Sequence, residues 1–313
     1  MASPAFSDDG RRDVARPKAF HLSLGDSGGF GFQEDRFNAM LDAGTYTPDG
    51  FNTGYTDVLA ARMQRLRRDQ QTVNLSCPGE TTDTMINGGC VFTLPEPEGP
   101  GLTLHTSYAG SQLDAAVSFL RSHRHQVGPV TVSIGANDAV EVIADTCGGD
   151  AECIKRSGLR ERLGRGLDRI LGALHAAAPD TEIIVVAVYN PFSIDHPETA
   201  GLWRRYYTNV TKDAARRNDA RVADTSEIIH GPQICRLTFL CASGDVHPTD
   251  AGYRRIADQI FEVAGYRHLD RDHEDRDHDD RHDSGRRDSG RRDSGRRDSD
   301  RRDSDRHDSD DED

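Results

Sequence analysis

Four short segments carry side chains that could act together on a carbonyl group: "GDSGG" at Gly25–Gly29, "CPGETT" at Cys77–Thr82, "GAND" at Gly135–Asp138 and "GDVHPTDAGY" at Gly244–Tyr253. A neutral serine hydroxyl such as that of Ser27 is a poor nucleophile until a base takes its proton during attack. Imidazole titrates near neutrality, which makes His247 the candidate base. Attack on a carbonyl carbon creates an oxyanion, and donors must already be in place to meet it. The backbone N–H groups of Ser27 and Gly79 and the side-chain amide of Asn137 would supply three. Glycine at 79 lets the backbone approach closely, and Asn137 can donate where an aspartate could not. Taken singly, a glycine in a turn, an asparagine closing a strand and a histidine before a proline all have structural explanations. Together, and in this order, they are specific.

Chain order narrows the reading of Ser27. "GDSGG" resembles the surroundings of the nucleophile in trypsin-like proteases, and it also fits the G-x-S-x-G elbow of α/β-hydrolase lipases. The protease serine comes late, after its histidine and aspartate. Here only 26 residues precede Ser27, and His21, the one upstream histidine, lies in the apolar run "AFHLSL", too close to fold back as a base. The α/β-hydrolase elbow has the right order of residues but follows several strands, not the first.

The segments between these sites alternate in period. "AFHLSL" (19–24), "TVNL" (72–75), "VTVSI" (130–134), "EIIVVAV" (182–188) and "ARVAD" (220–224) read as strands, the fourth apolar on both faces as in a buried parallel sheet. Between them run helical stripes: Leu113, Ala116, Val117, Leu120; Leu163, Leu167, Ile170, Leu171, Leu174; and Tyr253, Ile256, Ala257, Ile260, Phe261. Strands alternating with helices predict a three-layer α/β/α sandwich around a parallel sheet. Ligands of such sheets bind beyond the carboxyl ends of the strands. Ser27, Gly79 and Asn137 follow the first three strands, and His247 precedes the final helix.

On these residues the chain resembles the GDSL/SGNH hydrolase family, whose four markers map onto Ser27, Gly79, Asn137 and His247. The resemblance implies a flavodoxin-like fold and ester hydrolysis through an acyl-enzyme, without a cofactor or metal. "NLSCPGETT", the cysteine pairs and "HPTDAGY" are similar to secreted actinobacterial lipases and esterases of that family. One departure stands out. The family's usual D-x-x-H places an acid three residues before the histidine, but that position is Gly244 here, and the nearest acid is Asp245. Either Asp245 reaches the His247 ring by a different loop path, or a main-chain carbonyl, that of Gly244, holds it in a Ser-His dyad. Lipid esters, short-chain esters, phospholipids and acetylated sugars are all candidate substrates. Phe30, Phe32, Phe92, Phe192 and Trp203 are candidates to line an acyl pocket, with core packing the competing role for each. A different class of reading is a catalytically silent binding or surface-display module whose functional part is the tail.

Composition bounds the rest. The 313 residues carry a formal charge of −14. Residues 270–313 hold 19 Asp and Glu against 12 Arg, a net of −7, in repeats of RRDSG or RRDSD with no aliphatic or aromatic side chain. Such a segment cannot offset its ordering entropy by burial, so a disordered tail is expected. Interleaved aspartates would repel phosphate, which argues against nucleic-acid binding. The expected organisation is an N-terminal extension (1–18), a hydrolase domain (19–267) and the tail (268–313), in a monomeric chain. The six cysteines fall as three local pairs: Cys77 with Cys90, Cys147 with Cys153, and Cys235 with Cys241. No pair has the C-x-x-C spacing of a zinc or redox site. Three disulfides imply an extracellular location, against the alternative of six buried thiols. No signal peptide and no transmembrane stretch is visible, so export implies a removed leader or another route.

Overall fold

The computed structural model describes residues 16–194 and 199–269. The expected extension before residue 16 and the tail from residue 270 lie outside the described residues. Five parallel strands, β1 (Phe20–Gly25), β2 (Gln71–Asn74), β3 (Val127–Ser133), β4 (Ile183–Ala187) and β5 (Arg221–Asp224), form one sheet in the order β2-β1-β3-β4-β5. All five agree with the sequence reading to within a few residues at their ends. The order reverses direction between β1 and β3, and the crevice beyond the carboxyl ends of those two strands is the topological switch point.

The helices, in chain order, are α1 (Ser27–Phe30), α2 (Glu34–Asp42), α3 (Tyr55–Leu66), α4 (Thr82–Asn87), α5 (Gln112–Ser122) and α6 (Ala136–Val140). They continue with α7 (Ala151–Arg156), α8 (Leu159–Ala177), α9 (Ala200–Trp203), α10 (Asn209–Arg217), α11 (Ile234–Leu237) and α12 (Asp250–Val263). Their starts follow from capping chemistry. The Ser111 hydroxyl accepts from the Asp114 N–H at α5, the Thr249 hydroxyl accepts from the Gly252 N–H at α12, and Thr81 with Thr84 forms a capping box at α4.

Alternation along the strands divides the core into two layers. Ile183 and Val185 of β4 face a cluster with Leu22, Leu24, Val130 and Val132 of the sheet and the apolar stripes of α5, α8 and α10. Ile184 and Val186 face the opposite way, onto Tyr55, Leu59 and Met63 of α3 and Tyr253, Ile256 and Ile260 of α12. The sheet is thus covered on both faces, as a run of apolar residues like β4 requires. Each fully buried leucine or isoleucine of α8 contributes roughly 1.5–3 kcal/mol of burial. His21 belongs to this interior: it is fully buried beside the Thr131 hydroxyl, and burial pushes its imidazole down to about 3, so it is neutral. A third, aromatic cluster of Phe30, Phe51, Phe92 and Leu104, with the Cys77 and Cys90 sulfurs, packs under the loops that follow β1 and β2.

Candidate active site

The turn after β1 is built around glycine and aspartate. Gly25 has φ +125°, and a Cβ there would lie 1.8 Å from the Ser133 carbonyl oxygen, so no side chain fits where β1 passes β3. Asp26 then caps α1: its Oδ1 accepts from the Gly28 N–H at 3.0 Å and from the Ser133 hydroxyl at 3.1 Å. Burial pushes the Asp26 carboxyl up to about 6, against the pull of those hydrogen bonds and of His247. Ser27 is the first residue of α1 and is partly buried. The short helix forms because the Asp26 cap satisfies the amide that the turn would otherwise leave open.

The hydroxyl of Ser27 lies 2.9 Å from Nε2 of His247, and Nδ1 of the same ring lies 2.5 Å from Oδ1 of Asp245. Of the two groups considered for Nδ1, the carboxylate of Asp245 is therefore the one in contact, not the carbonyl of Gly244. Gly244 has φ +80°, a left-handed bend that favours glycine, and Asp245 follows it. The Asp245 carboxylate folds back over its own segment, with Oδ1 also accepting the His247 N–H at 3.0 Å. Its Oδ2 accepts the Glu34 N–H at 3.0 Å, at the N-terminus of α2. Burial alone would raise this carboxyl, but the His247 hydrogen bond and charge, with the Glu34 and His247 amides, hold it below the ordinary value.

Several contacts fix the loop that carries His247. The Gln33 amide donates to the Pro248 carbonyl at 3.1 Å and to Asp250 at 3.0 Å. The His247 carbonyl accepts from the Phe239 N–H at 3.1 Å, and the Tyr189 hydroxyl donates to the Val246 carbonyl. The Phe32 ring packs against the imidazole, with centroids 4.9 Å apart. Gln33, Glu34 and Phe32 act across more than two hundred residues of chain, and no spacing rule would have singled them out.

Asn137 stands in the first turn of α6, after Gly135 at φ +91°. Its side-chain Nδ2 donates to the Glu80 carbonyl at 2.8 Å. That bond ties Asn137 to the loop after β2, in which Gly79 adopts φ +81° and is exposed. Ser27, Asn137 and His247 line one cleft, together with Val140, Val188, Pro191, Trp203 and Val246. Its wall is mainly apolar. Of the aromatic residues named as pocket candidates, Trp203 lines this cleft, with Phe192 packed against it, whereas Phe30 and Phe92 are core members of the aromatic cluster.

All six cysteines are paired, as Cys77–Cys90, Cys147–Cys153 and Cys235–Cys241. The first joins the loop after β2 to the segment following α4. Cys77, Cys90 and Glu80 lie close enough together to suggest a metal cluster, but both thiols are consumed by the disulfide, which leaves a single carboxylate as donor. No helix among the described residues is long and apolar enough to cross a membrane.

The protein is thus a five-stranded parallel sheet flanked by helices, with serine, histidine and aspartate converging at its switch point. The sequence profile of the GDSL-like lipase/acylhydrolase family matches residues 23–255, and the chain belongs to that family. Solved structures share the fold. An α/β hydrolase from the metagenome of Lake Arreo, Spain, superposes with a TM-score of 0.53 at 16% identity, covering 80% of this chain and 97% of the other. An extracellular lipase from Streptomyces rimosus gives 0.51 at 16% identity, covering 77% and 98%. A catalytic mutant of an acetylxylan esterase from Geobacillus stearothermophilus gives 0.51 at 15% identity, covering 80% and 96%. No curated protein sequence matches the chain.

Proposed function

We propose that the protein is a carboxylic ester hydrolase working through an acyl-enzyme on Ser27. The observation that carries this reading is the continuous chain from the Ser27 hydroxyl through both nitrogens of His247 to Asp245. In the first half-reaction the Ser27 oxygen bonds to the carbonyl carbon as its proton passes to Nε2. Collapse of the tetrahedral adduct breaks the ester bond, and the imidazolium returns the proton to the departing alcohol. Water then repeats the sequence, losing a proton to Nε2 and releasing the acid while Ser27 recovers its hydrogen. Asp245 holds Nδ1–H and stabilises the imidazolium. The Ser27 and Gly79 N–H groups and the Asn137 amide receive the oxyanion; one hydrogen of that amide is committed to the Glu80 carbonyl, and the other is free to turn to substrate.

The apolar wall of Val140, Val188, Pro191 and Trp203 beside Ser27 favours an uncharged acyl group. The substrate we propose is thus a lipid or simple carboxylic ester, and the three disulfides fit an extracellular site of action. The test is labelling of the native protein with a serine-directed phosphonate, followed by a ladder of p-nitrophenyl acyl esters beside a phospholipid. Wild type should label at Ser27 and hydrolyse the esters. Ser27→Ala should do neither while keeping its fold, and appreciable turnover by Ser27→Ala would remove the assignment.

A further inference from the structure

The loop after β2 contains a buried acid to which the chemistry above gives no part. Glu80 is 1% exposed, although it follows the exposed Gly79. Its Oε2 accepts from the Gln112 side-chain amide at 3.0 Å and faces the Tyr108 hydroxyl at 3.5 Å, while its Oε1 is buried without a hydrogen-bond partner. Gln112, also buried, grips the nucleophile turn from α5. Its Oε1 accepts the Gly25 N–H at 2.6 Å, and its Nε2 donates to the Gly25 carbonyl at 3.0 Å. The same Gly25 carbonyl accepts the Cys77 N–H at 2.9 Å. One buried side-chain link therefore runs from the residue two before Ser27, through Gln112, to the residue just after Gly79. From there the Glu80 carbonyl holds the amide of Asn137.

We propose that Glu80 is a positioning residue for the oxyanion hole: through Gln112 its side chain holds the loop bearing Gly79, and through that loop Asn137, in register with the Ser27 turn. This rests on the hydrolase reading above, and it adds a residue that reaches all three oxyanion donors without touching substrate. The reason for a buried acid at this place is mechanical. Both hydrogens of the Gln112 amide are committed, one to the Gly25 carbonyl and one to Oε2, so the link keeps its geometry only while Oε2 is there to accept. A donor displaced by about 1 Å costs on the order of 10²-fold in rate, so rigidity at this distance from the chemistry has a direct kinetic reading.

The environment of the carboxyl adds a second readout. Burial pushes Glu80 up to about 7, against the hydrogen bonds from Gln112 and Tyr108, and the nearby Asp26 carboxyl pushes it further up. The groups facing it are thus Thr84 from α4, Gln112 from α5, Tyr108 from the loop before α5, Asp26 from the β1 turn and the Cys77–Cys90 disulfide. Below about pH 7 Glu80 is neutral. Above it, a buried negative charge stands one residue from Gly79, where the transition state gathers negative charge of its own, and like charges disfavour each other.

The experiment is steady-state hydrolysis of p-nitrophenyl butyrate by the full chain from pH 5.5 to 9, for wild type, Glu80→Ala and Glu80→Gln, with phosphonate labelling of each. Glu80→Ala is expected to lower kcat by roughly 10²-fold with KM changed about threefold or less, because loosened donors matter most when the oxyanion forms. Glu80→Gln reproduces the neutral acid, keeping an acceptor for Gln112. It should hold near-wild-type kcat at pH 6 and lack the fall in kcat expected of wild type as pH rises through about 7. Unchanged kcat in Glu80→Ala, or a wild-type pH profile in Glu80→Gln, overturns the role of Glu80, even if melting temperatures drop. If Glu80→Ala does not fold, the profile of Glu80→Gln alone decides. A wild-type protein that neither labels nor hydrolyses overturns the hydrolase reading instead, which keeps the two failures apart.

Discussion

Oδ1 of Asp245 accepts the main-chain N–H of His247 at 3.0 Å and lies 2.5 Å from Nδ1 of the same residue's ring. An aspartate that accepts from the amide two residues ahead makes an Asx-turn. Here the turn carries the carboxylate onto the imidazole, so an acid two residues before the histidine reaches its ring. The left-handed Gly244 supplies the bend, and the Glu34 N–H anchors the second oxygen.

This geometry makes Asp245→Asn a severe change. The variant should lose about 10⁴ in kcat, the scale on which a neutralised triad carboxylate leaves the imidazole in the wrong tautomer. His247→Ala should be at least as damaging. A loss of tenfold or less in a folded Asp245→Asn protein would mean that the charge is dispensable and Asp245 serves only the loop.

Asn137→Ala should lower kcat by about 10²–10³ with a smaller change in KM, since the amide matters most when the oxyanion forms. Because Nδ2 also holds the Glu80 carbonyl, Asn137→Asp should be no better: a carboxylate cannot donate to that carbonyl. A change confined to KM would make Asn137 a substrate-binding residue.

The buried Asp26 links stability to pH. Its carboxyl rises from 3.8 to about 6 on folding, so between those values the folded state keeps a proton that the unfolded chain has released. Stability must therefore fall as pH rises across that window, by up to roughly 3 kcal/mol from this one group. Asp26→Asn keeps an oxygen for the Gly28 and Ser133 donors and should flatten part of that slope in denaturant titrations at pH 4 and 7. An unaltered slope would place the titration elsewhere.

Replacing Cys77 and Cys90 together by serine should lower unfolding stability by about 3 kcal/mol, the entropy expected for closing a loop of this length. It should also lower kcat more than the matching Cys147 and Cys153 replacement, because the Cys77 loop carries Gly79 and Glu80. Equal kinetic effects from the two pairs would show that the first staple serves stability alone.

The five strands and the helices α5, α8 and α12 were legible in the sequence because their signals are local. The apolar run of β4 and the stripe of α8 are read within a dozen residues. The order of the four segments bearing Ser27, Gly79, Asn137 and His247 was legible for a related reason: in a parallel sheet every strand delivers its following loop to the same edge. What stood beyond the sequence were relations between loops. Asp245 and the Gly244 carbonyl were equal candidates on spacing alone, because a one-residue shift is decided by backbone torsion and by the Glu34 amide, 211 residues away in the chain. The same holds for Phe30 and Phe92, whose aromatic type suits a pocket wall and a core equally until their neighbours are known. Glu80 reads as one more polar loop residue. Only the packing of α5 against the turn after β1 buries it and joins it to Gly25, because burial and hydrogen-bond satisfaction are properties of the assembled chain and not of any segment.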